Sequence, residues 1–292
     1  MSLKVKNFQK MRFLEKIAKI RGVLLNLVFP KICLSCQNEG FYLCENCLNK
    51  IPLIDKLTCP VCEKITFYGR TCENCQRKTY LAGLLCATSY KNPIVNEAIK
   101  LLKYKYIKEL SNSLAKIMIK LIKNSGFLVN NFTDELTSFL VIPVPLHHKK
   151  FLSRGFNQSE LLAQKIAEEF DLELKNGLLI KTKNTRSQTD LEEEKRIINV
   201  KDVFEVKNKA RLPHCNRGFL QNLIFGQRRN PSDLSAEALA KAEVLTKEEE
   251  VKDKVILLVD DVFTTGSTLN EAAKALKKSG AREVWGVTLA RG

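Results

Sequence analysis

The chain lacks a long uninterrupted hydrophobic run. Its best candidate for a membrane span, residues 13–29, contains four charged residues between positions 15 and 21, whereas a spanning helix needs about 20 predominantly apolar residues. No small-residue cleavage site follows the apolar stretch at 23–28, so we expect no secretory signal. These absences favour a cytoplasmic protein without a transmembrane segment. The basic 13–29 segment then either packs within the protein or makes peripheral membrane contact as an amphipathic helix.

Acidic residues are scarce relative to basic ones. The 292 residues include 48 Lys and Arg but only 32 Asp and Glu, which gives a formal net charge of +16. The basic excess is clustered at residues 1–31, 91–123 and 207–230. Such clusters favour polyanionic partners such as nucleic acid, anionic lipid or a phosphorylated small molecule. A lysine-rich proteome would give the same composition, so charge alone does not choose among them.

The glycine-lysine-serine/threonine ending of a P-loop is also missing. In its place stands the stretch VILLVDDVFTTGST at residues 255–268. Its first five residues are apolar and predict a strand buried on both faces. Two carboxylates, Asp260 and Asp261, follow directly. A helical apolar pattern begins after the next loop, where Thr268 and Glu271 have the spacing of a capping box.

The loop between this strand and this helix predicts an anion-binding cradle. It consists of small and hydroxyl-bearing residues: Thr264, Thr265, Gly266, Ser267 and Thr268. Peptide N–H groups and the dipole at the start of a helix favour a bound anion, and glycine lets the backbone approach a phosphate closely. The two preceding carboxylates could hold sugar hydroxyls directly or through a divalent cation. An ordinary strand–turn–helix unit does not explain this combination.

Eight of the ten cysteines form four C-x-x-C pairs. The pairs are Cys33 with Cys36, Cys44 with Cys47, Cys59 with Cys62, and Cys72 with Cys75. Two such knuckles complete a four-thiolate zinc site, which is structural rather than catalytic. Sequential pairing gives two zinc ribbons in a row, and a crossed pairing stays open. Disulfides would need an oxidising compartment, for which the sequence gives no support.

The 255–268 stretch resembles the phosphoribosyl-pyrophosphate (PRPP) binding motif of type I phosphoribosyltransferases. By this resemblance, Asp260 and Asp261 would contact the ribose hydroxyls and magnesium, and residues 264–268 would surround the 5-phosphate. The implied cofactors are magnesium, which binds with PRPP, and zinc at two structural sites.

Together with the cysteine pairs, this motif makes the chain resemble the ComF family. These competence-associated proteins join a double zinc ribbon to a type I phosphoribosyltransferase domain, and the resemblance covers nearly the whole chain. It rests on blocks in the same order: LLNLVFPKICLSC at 24–36, ATSY at 87–90, Lys103 with Tyr104, IPVPLHHKKFLSRGFNQSELLA at 142–163, the set Thr185, Gln188, Leu191, Arg196 and Asn199, the PRPP motif, and VTLAR at 287–291.

The 142–163 block lies in a segment with its own pattern. Residues 138–142 predict a buried strand, Leu146–Gly155 a basic loop, and residues 157–170 a helix. The family resemblance places the pyrophosphate loop at Val144, Pro145, Leu146, His147 and His148. Arg154 would offer a bidentate donor to phosphate. A solvated turn is the alternative interpretation of the two histidines.

Two further segments carry weaker signals. Residues 185–199 indicate a flap that closes over the site, with Arg186, Gln188 and Arg196 as contacts; a plain surface loop is the alternative. About fifty residues separate Phe204 from Val255, where the family usually has a short connection. This insertion, at about 207–250, has a basic half suited to nucleic acid and a half patterned as a helix. An inert lineage-specific insertion is the alternative.

The strand and helix patterns predict an α/β fold. Strands near 139–143, 255–260 and 283–289, with helices between them, indicate a parallel sheet of the type I phosphoribosyltransferase kind with helices on both faces. The phosphate loop follows the carboxyl end of a strand, where such sheets bind ligands. We expect a basic segment and zinc-ribbon module at residues 1–80 and the phosphoribosyltransferase-like domain at residues 81–292.

Two hypotheses about function follow. In the first, the chain is a phosphoribosyltransferase that moves the ribosyl group of magnesium-PRPP to a nitrogen base of unknown identity and releases pyrophosphate. In the second, it is a non-catalytic protein of DNA uptake that binds single-stranded DNA and acts with other competence proteins. It would then use the PRPP site as a sensor or a sugar-phosphate clamp. No base-recognition element and no catalytic residue can be assigned from the sequence.

Overall fold

The computed structural model describes residues 30–131, 139–183, 202–206 and 250–292. The chain divides into two compact units, and the division falls between Pro52 and Leu53, which separates the two cysteine clusters. The segment 13–29, the flap with Arg186, Gln188 and Arg196, and the 207–250 insertion up to residue 249 lie outside the described residues. The division into modules at residue 80 stays a prediction.

The two units contain the same local cysteine structure. In the first, an isolated antiparallel bridge joins Ile32 to Glu39; in the second, one joins Thr58 to Ile65. Each first knuckle turns through a residue in the left-handed region, Gln37 at φ 62° and Glu63 at φ 60°. A short α-helix, α1 (Glu45–Asn49), starts directly after the third cysteine of the first cluster. A 3₁₀ helix (Glu73–Lys78) does the same in the second.

A five-stranded parallel sheet forms the second unit, as predicted from the apolar runs. Its strands are β1 (Gly83–Ser89), β2 (Phe139–Pro143), β3 (Glu173–Leu174), β6 (Val255–Phe263) and β7 (Glu283–Arg291), in the order β1-β7-β6-β2-β3. Every pairing is parallel. Strand β6 extends beyond its apolar run through both aspartates, because its pairing with β7 continues to the Phe263–Arg291 position.

Helices cover both faces of this sheet. The helices of this unit are α2 (Pro93–Tyr104), α3 (Leu110–Ser125), α4 (Phe127–Asn131), α5 (His148–Arg154), α6 (Gln158–Phe170) and α7 (Ser267–Lys278). On one face, alternate strand residues such as Ile256 and Leu258 pack with Leu269 and Ala273 of α7. Successive strand residues face opposite sides of the sheet, so Leu257 lies on the other face. Leu257 is also fully buried, because α3 and α6 contact the strands on that face.

Helix α5 corrects the expectation of a basic loop over Leu146–Gly155. Residues His148–Arg154 are helical, and His147 caps the helix by accepting the Lys149 N–H at its Nδ1 atom, at 3.2 Å. No residue between 148 and 154 breaks a helix, and none is buried. The run of basic side chains therefore faces outward without preventing helix formation. Gly155 ends the helix in the left-handed region.

A small antiparallel hairpin, β4 (Leu179–Lys181) with β5 (Phe204–Val206), packs against α7. The Asp202 N–H donates to Glu271 at 2.9 Å, and Lys274 pairs with Asp202 at 2.8 Å. The predicted capping box of Thr268 and Glu271 is therefore wrong. Helix α7 begins earlier, with Gly266 as its N-cap residue, and Glu271 binds the hairpin instead.

No helix within the described ranges combines the length and the apolar character that crossing a membrane requires.

Candidate functional site

The predicted ligand loops lie at one edge of the sheet. Strands β2 and β6 are neighbours, and Pro143 at the end of β2 pairs with Val259 of β6. Because the strands are parallel, the loop after β2 and the loop after β6 leave the sheet on the same side. This carboxyl edge is where open α/β sheets bind ligands.

Asp260 and Asp261 are buried side by side in the last part of β6. Asp260 accepts two hydrogen bonds at Oδ1, from the Ser159 hydroxyl at 2.8 Å and from the Asp261 N–H at 2.9 Å. Burial and the charge of Asp261 raise the pKa of Asp260 to about 7, and Lys103 and these two donors only partly oppose the rise. Asp260 therefore changes its charge near neutral pH.

Lys103 of α2 supplies the counter-charge for this pair. Its Nζ lies 2.6 Å from Asp261 Oδ2, and the two side chains are only 21% and 6% exposed. Burial acts to lower the pKa of Lys103, but the Asp261 carboxylate outweighs burial and raises it. The protonated Lys103 amine therefore gives the site its own cation.

The predicted phosphate loop is a compact turn between β6 and α7. The Thr265 and Ser267 hydroxyl oxygens lie 2.8 Å apart, and the Ser267 N–H points to Thr265 Oγ1 at 3.4 Å. Gly266 has a φ of 76°, and a Cβ atom there would lie 2.6 Å from the Phe263 ring. Any larger residue would therefore distort the turn. The N-terminal end of α7 opens onto this loop, which is the arrangement of an anion site.

The predicted pyrophosphate loop follows β2. Both peptide groups of Val144 are used within the protein, because its N–H donates to Val259 and its carbonyl accepts from Asn157 Nδ2 at 3.0 Å. Because Pro145 has no N–H, peptide donors to an anion must come from Leu146 onward. Burial and the charges of Lys149 and Lys181 lower the pKa of His147. His147 is thus a neutral imidazole whose Nδ1 caps α5, which leaves Nε2 to carry the proton.

Arg154 is the last residue of α5, and its predicted contact with pyrophosphate stays a prediction. Its guanidinium donates to Gln158 Oε1 and lies 6.0 Å from the centre of the half-exposed Tyr104 ring. Tyr106, two positions after Tyr104, packs edge-on against Phe156, with ring centres 6.5 Å apart. The structure thus places Arg154 in a surface of aromatic and basic side chains.

The hairpin brings a further cation to the site. Lys181 lies in β4, with its Nζ 5.4 Å from the Phe204 ring centre. Burial and the charge of Lys150 lower the pKa of Lys181 to about 8, while Asp260 acts in the opposite direction. Thr182 binds the Val203 carbonyl through its N–H at 2.9 Å, so the two ends of the predicted flap segment are anchored side by side.

Each group of four cysteines fits a tetrahedral zinc ion. The groups are sequential: Cys33, Cys36, Cys44 and Cys47 in one, and Cys59, Cys62, Cys72 and Cys75 in the other. All ligand atoms of a group lie within 4.8 Å of one another. Four sulfurs at zinc–sulfur distances of about 2.3 Å would be separated by about 3.8 Å. The measured sulfur separations of 3.6 to 3.8 Å agree. The sequential pairing is confirmed.

The peptide backbone prepares one thiol of each cluster to ionise. Burial raises the pKa of Cys33, but hydrogen bonds from three peptide groups outweigh this effect and the pKa falls to about 6. Cys59 has the same pattern and also falls to about 6. Thiolates are the form of cysteine that binds metals, so both clusters have the chemistry of structural zinc sites.

Sequence reasoning missed several residues of the site. Ser159 and Lys181 were not identified, and Lys103 was noted as part of a family block without a role. The partners of Lys103 and Ser159 lie more than a hundred positions away in the sequence, so no local spacing could reveal them. Helix position did offer one signal, because Ser159 is in the first turn of α6, at the same edge of the sheet as the aspartates.

Comparison with known proteins gives two matching domain families. The double zinc ribbon domain matches residues 24–76, and the phosphoribosyl transferase domain matches residues 157–292. The first match contains both cysteine clusters, and the second contains the acidic pair and the phosphate loop.

Several similar proteins match over most of their length. Competence protein F of Haemophilus influenzae is 26% identical over 273 residues, which cover 91% of this chain and 93% of that protein. Competence protein ComFC of Bacillus subtilis is 25% identical and covers 85% of this chain and 84% of its own. DNA utilization protein YhgH of Escherichia coli K12 is 24% identical, with 89% and 97% covered. With its double zinc ribbon, its phosphoribosyltransferase fold and these relatives, the chain is a homologue of the competence protein F and ComFC proteins over most of its length.

Proposed function

We propose that the chain binds magnesium-PRPP at the carboxyl edge of its sheet and acts in DNA uptake or DNA use, as the names of its relatives suggest for them. The observation that carries the proposal is the pair Asp260 and Asp261, buried at the end of β6 directly before a small-residue loop and a helix start. The family resemblance assigns these elements to ribose and to the 5-phosphate.

Each group in the site has a chemical task under this proposal. The carboxyl oxygens of Asp260 and Asp261 accept hydrogen bonds from the two ribose hydroxyls, and the hydroxyl groups of residues 264–268 donate to the 5-phosphate. Neutral His147 and cationic Lys181 face the pyrophosphate side, where a donor and a positive charge stabilise the leaving group. Magnesium, when bound with PRPP, adds positive charge to the same group. We propose phosphoribosyl transfer as the reaction, with the acceptor base still to be found.

Calorimetric titration of magnesium-PRPP tests this proposal. We expect micromolar binding by the wild type and none by the double variant Asp260→Asn/Asp261→Asn. Asp171→Asn is a matched control, because Asp171 is an exposed residue at the end of α6 in a left-handed conformation that asparagine tolerates. A wild type that binds no magnesium-PRPP contradicts the proposal. If the wild type binds magnesium-PRPP, pyrophosphate release in a screen of bases distinguishes phosphoribosyl transfer from binding alone.

A second candidate function, binding of single-stranded DNA, rests on a different surface. We define the aromatic-basic surface by Tyr104, Tyr106, Lys108, Phe151 and Arg154. Its aromatic rings are 41% to 57% exposed, and the Lys108 amine lies 5.0 Å from the centre of the Phe156 ring. Exposed rings beside cations suit base stacking and phosphate contacts.

Fluorescence anisotropy with a labelled oligothymidine tests this second function. Binding should weaken steeply with salt and should weaken further in Tyr104→Ala/Tyr106→Ala. Tyr80→Ala is the control, because Tyr80 is also exposed (46%) but outside this surface. Equal binding by both variants would contradict the assignment to this surface. Because magnesium-PRPP binding is measured separately, the two functions can stand or fall independently.

A further inference from the structure

The knuckle of the second cysteine cluster holds the last side chain of β7. The Arg291 guanidinium donates to Glu63 Oε1 at 2.7 Å, to Thr58 Oγ1 at 3.1 Å and to the Pro60 carbonyl at 3.5 Å. Thr58, Pro60 and Glu63 surround the Cys59–Cys62 knuckle in the sequence. Three acceptors from one turn therefore fix the position of a single arginine. The conformation of that turn depends on the second cysteine cluster, to which Cys59 and Cys62 belong.

From Arg291 the contact continues to the phosphate loop. The guanidinium lies 5.1 Å from the centre of the Phe263 ring, a cation–π distance. The two residues are register partners, and the Gly292 N–H donates to the Phe263 carbonyl at 2.9 Å. The Phe263 ring, buried on its other side, fills the space that a side chain at Gly266 would need. Arg291 thus holds the ring on which the loop rests.

A second set of contacts reaches the same loop through α7. The Thr79 hydroxyl and the Tyr80 N–H, which follow the 3₁₀ helix of the second cluster, both donate to Asn270 Oδ1 at 2.8 Å. The Asn270 N–H in turn donates to the Gly266 carbonyl at 2.8 Å. The helix start beside the loop is therefore also held by the chain leaving the cysteine cluster.

We propose that Arg291 is a positioning residue that couples the second cysteine cluster to the phosphate loop, with Asn270 as a second contact. Without metal a small four-cysteine module unfolds, and Arg291 and Asn270 then lose their fixed partners. The loop loses its preorganised shape, and an anion must order it on binding. Zinc at the second cluster thus sets the affinity of the loop for its anion. The identity of that anion as PRPP rests on the proposed function; the coupling itself does not.

The opposite end of β7 provides a matched control. There Arg70, from the same cysteine region, makes a two-pronged contact with Glu283 at 3.0 and 3.3 Å and lies 5.0 Å from the Trp285 ring centre. Residues 283 and 291 are separated by about 26 Å along the strand. Arg70→Met therefore removes an equivalent contact between the cysteine region and β7 without touching the phosphate loop.

Amide hydrogen exchange of the ligand-free full chain is the first test. We expect exchange of peptides covering residues 263–268 to accelerate in Arg291→Met and in Cys72→Ser, and to stay at the wild-type rate in Arg70→Met. Arg291→Lys keeps the positive charge but loses the forked guanidinium donors, so its loop exchange rate should lie between those of the wild type and Arg291→Met. Zinc analysis accompanies each protein: all three arginine variants should hold two ions per chain, and Cys72→Ser one.

Titration with magnesium-PRPP is the second test. We expect affinity to fall about 3- to 30-fold in Arg291→Met, by at least as much in Cys72→Ser, and not in Arg70→Met. The proposed coupling would be overturned if the loop of Arg291→Met exchanged at the wild-type rate. It would also be overturned if Arg70→Met accelerated loop exchange as much as Arg291→Met does. A wild type that binds no magnesium-PRPP overturns the proposed function, and the exchange comparison then decides the coupling alone.

Discussion

Two regions of this chain bring negative charge close together, and they balance it in different ways. The cysteine clusters each gather four sulfurs within 4.8 Å, which only a metal ion can hold as thiolates. Strand β6 buries two neighbouring carboxylates, and it balances them with Lys103, the Ser159 hydroxyl and a peptide N–H. The first solution uses an external cation, and the second uses groups of the protein itself.

The difference distinguishes a structural metal site from the site to which we assign the proposed function. A four-thiolate zinc site is closed, since every ligand position is filled by the protein. The acidic pair remains adjustable, because Asp260 can gain or lose a proton near pH 7 and because Lys103 is a side chain rather than a bound ion. Under the proposed function, charges that can be rearranged would help the site to admit an anionic ligand with its metal.

The largest effect should come from breaking a cysteine cluster. Cys72→Ser removes one ligand, and structural zinc in such modules binds with about 10 to 16 kcal/mol, so the second cluster should lose its metal and its fold. Metal analysis should give one zinc ion per chain, as for Cys33→Ser, against two in the wild type and in Asp261→Asn. A zinc-free wild type would sink the structural assignment.

The acidic pair should respond strongly to loss of its own cation. Lys103→Met leaves the Asp261 carboxylate buried without a partner, which should lower the free energy of unfolding by about 3 to 5 kcal/mol. Urea unfolding, followed by fluorescence of the single tryptophan, Trp285 in β7, measures the loss. Because the penalty comes from the unpaired charge, Lys103→Met/Asp261→Asn should recover most of it. Additive losses in the double variant would contradict this account.

A smaller effect is expected from the hydroxyl that supports Asp260. Ser159→Ala removes a hydrogen bond to a charged group, which contributes about 1.5 to 3 kcal/mol. The loss should be larger at pH 8, where Asp260 is ionised, than at pH 6. Ser153→Ala serves as the control, because its hydroxyl is on an exposed part of α5. A loss that does not change with pH would show that Ser159 has only a packing role.

The pH dependence of stability should be the most gradual effect. Burial and the charge of Asp261 raise the pKa of Asp260 to about 7, against about 4 in an unfolded chain. Between these values the folded protein holds a proton that the unfolded chain has released. Stability should therefore fall as pH rises through this window, by at most about 1.4 kcal/mol per pH unit, and level off above pH 7.

Asp260→Asn isolates this contribution from all other titrating groups. The unfolding free energy of the wild type minus that of this variant should decrease from about pH 5 to about pH 7 and then stay constant. A flat difference over that range would show that the Asp260 pKa is not raised. Glu168, whose pKa its hydrogen bond with Lys165 lowers, changes stability in the opposite direction and cancels in the difference.

Local patterns in the sequence determined much of this protein. The apolar runs predicted β2, β6 and β7, because a strand buried on both faces needs a continuous apolar stretch. The C-x-x-C spacing predicted two sequential four-cysteine clusters, since a knuckle is a short-range structure. The phosphate loop stays a prediction, which local spacing allowed because Asp260, Asp261 and Gly266 are neighbours in the chain. Helix α5 was missed, as its basic composition concealed an unbroken helical segment.

Only the tertiary structure decided which distant groups meet at these local features. Lys103 reaches Asp261, Ser159 reaches Asp260 across 101 positions, and Arg291 reaches Glu63 across 228. Such contacts depend on strand order, on register and on the packing of α2 and α6 at one edge of the sheet. A sequence pattern encodes hydrogen bonds and turns within a few residues, whereas the charge balance of a buried site is set by whichever elements the whole fold places around it.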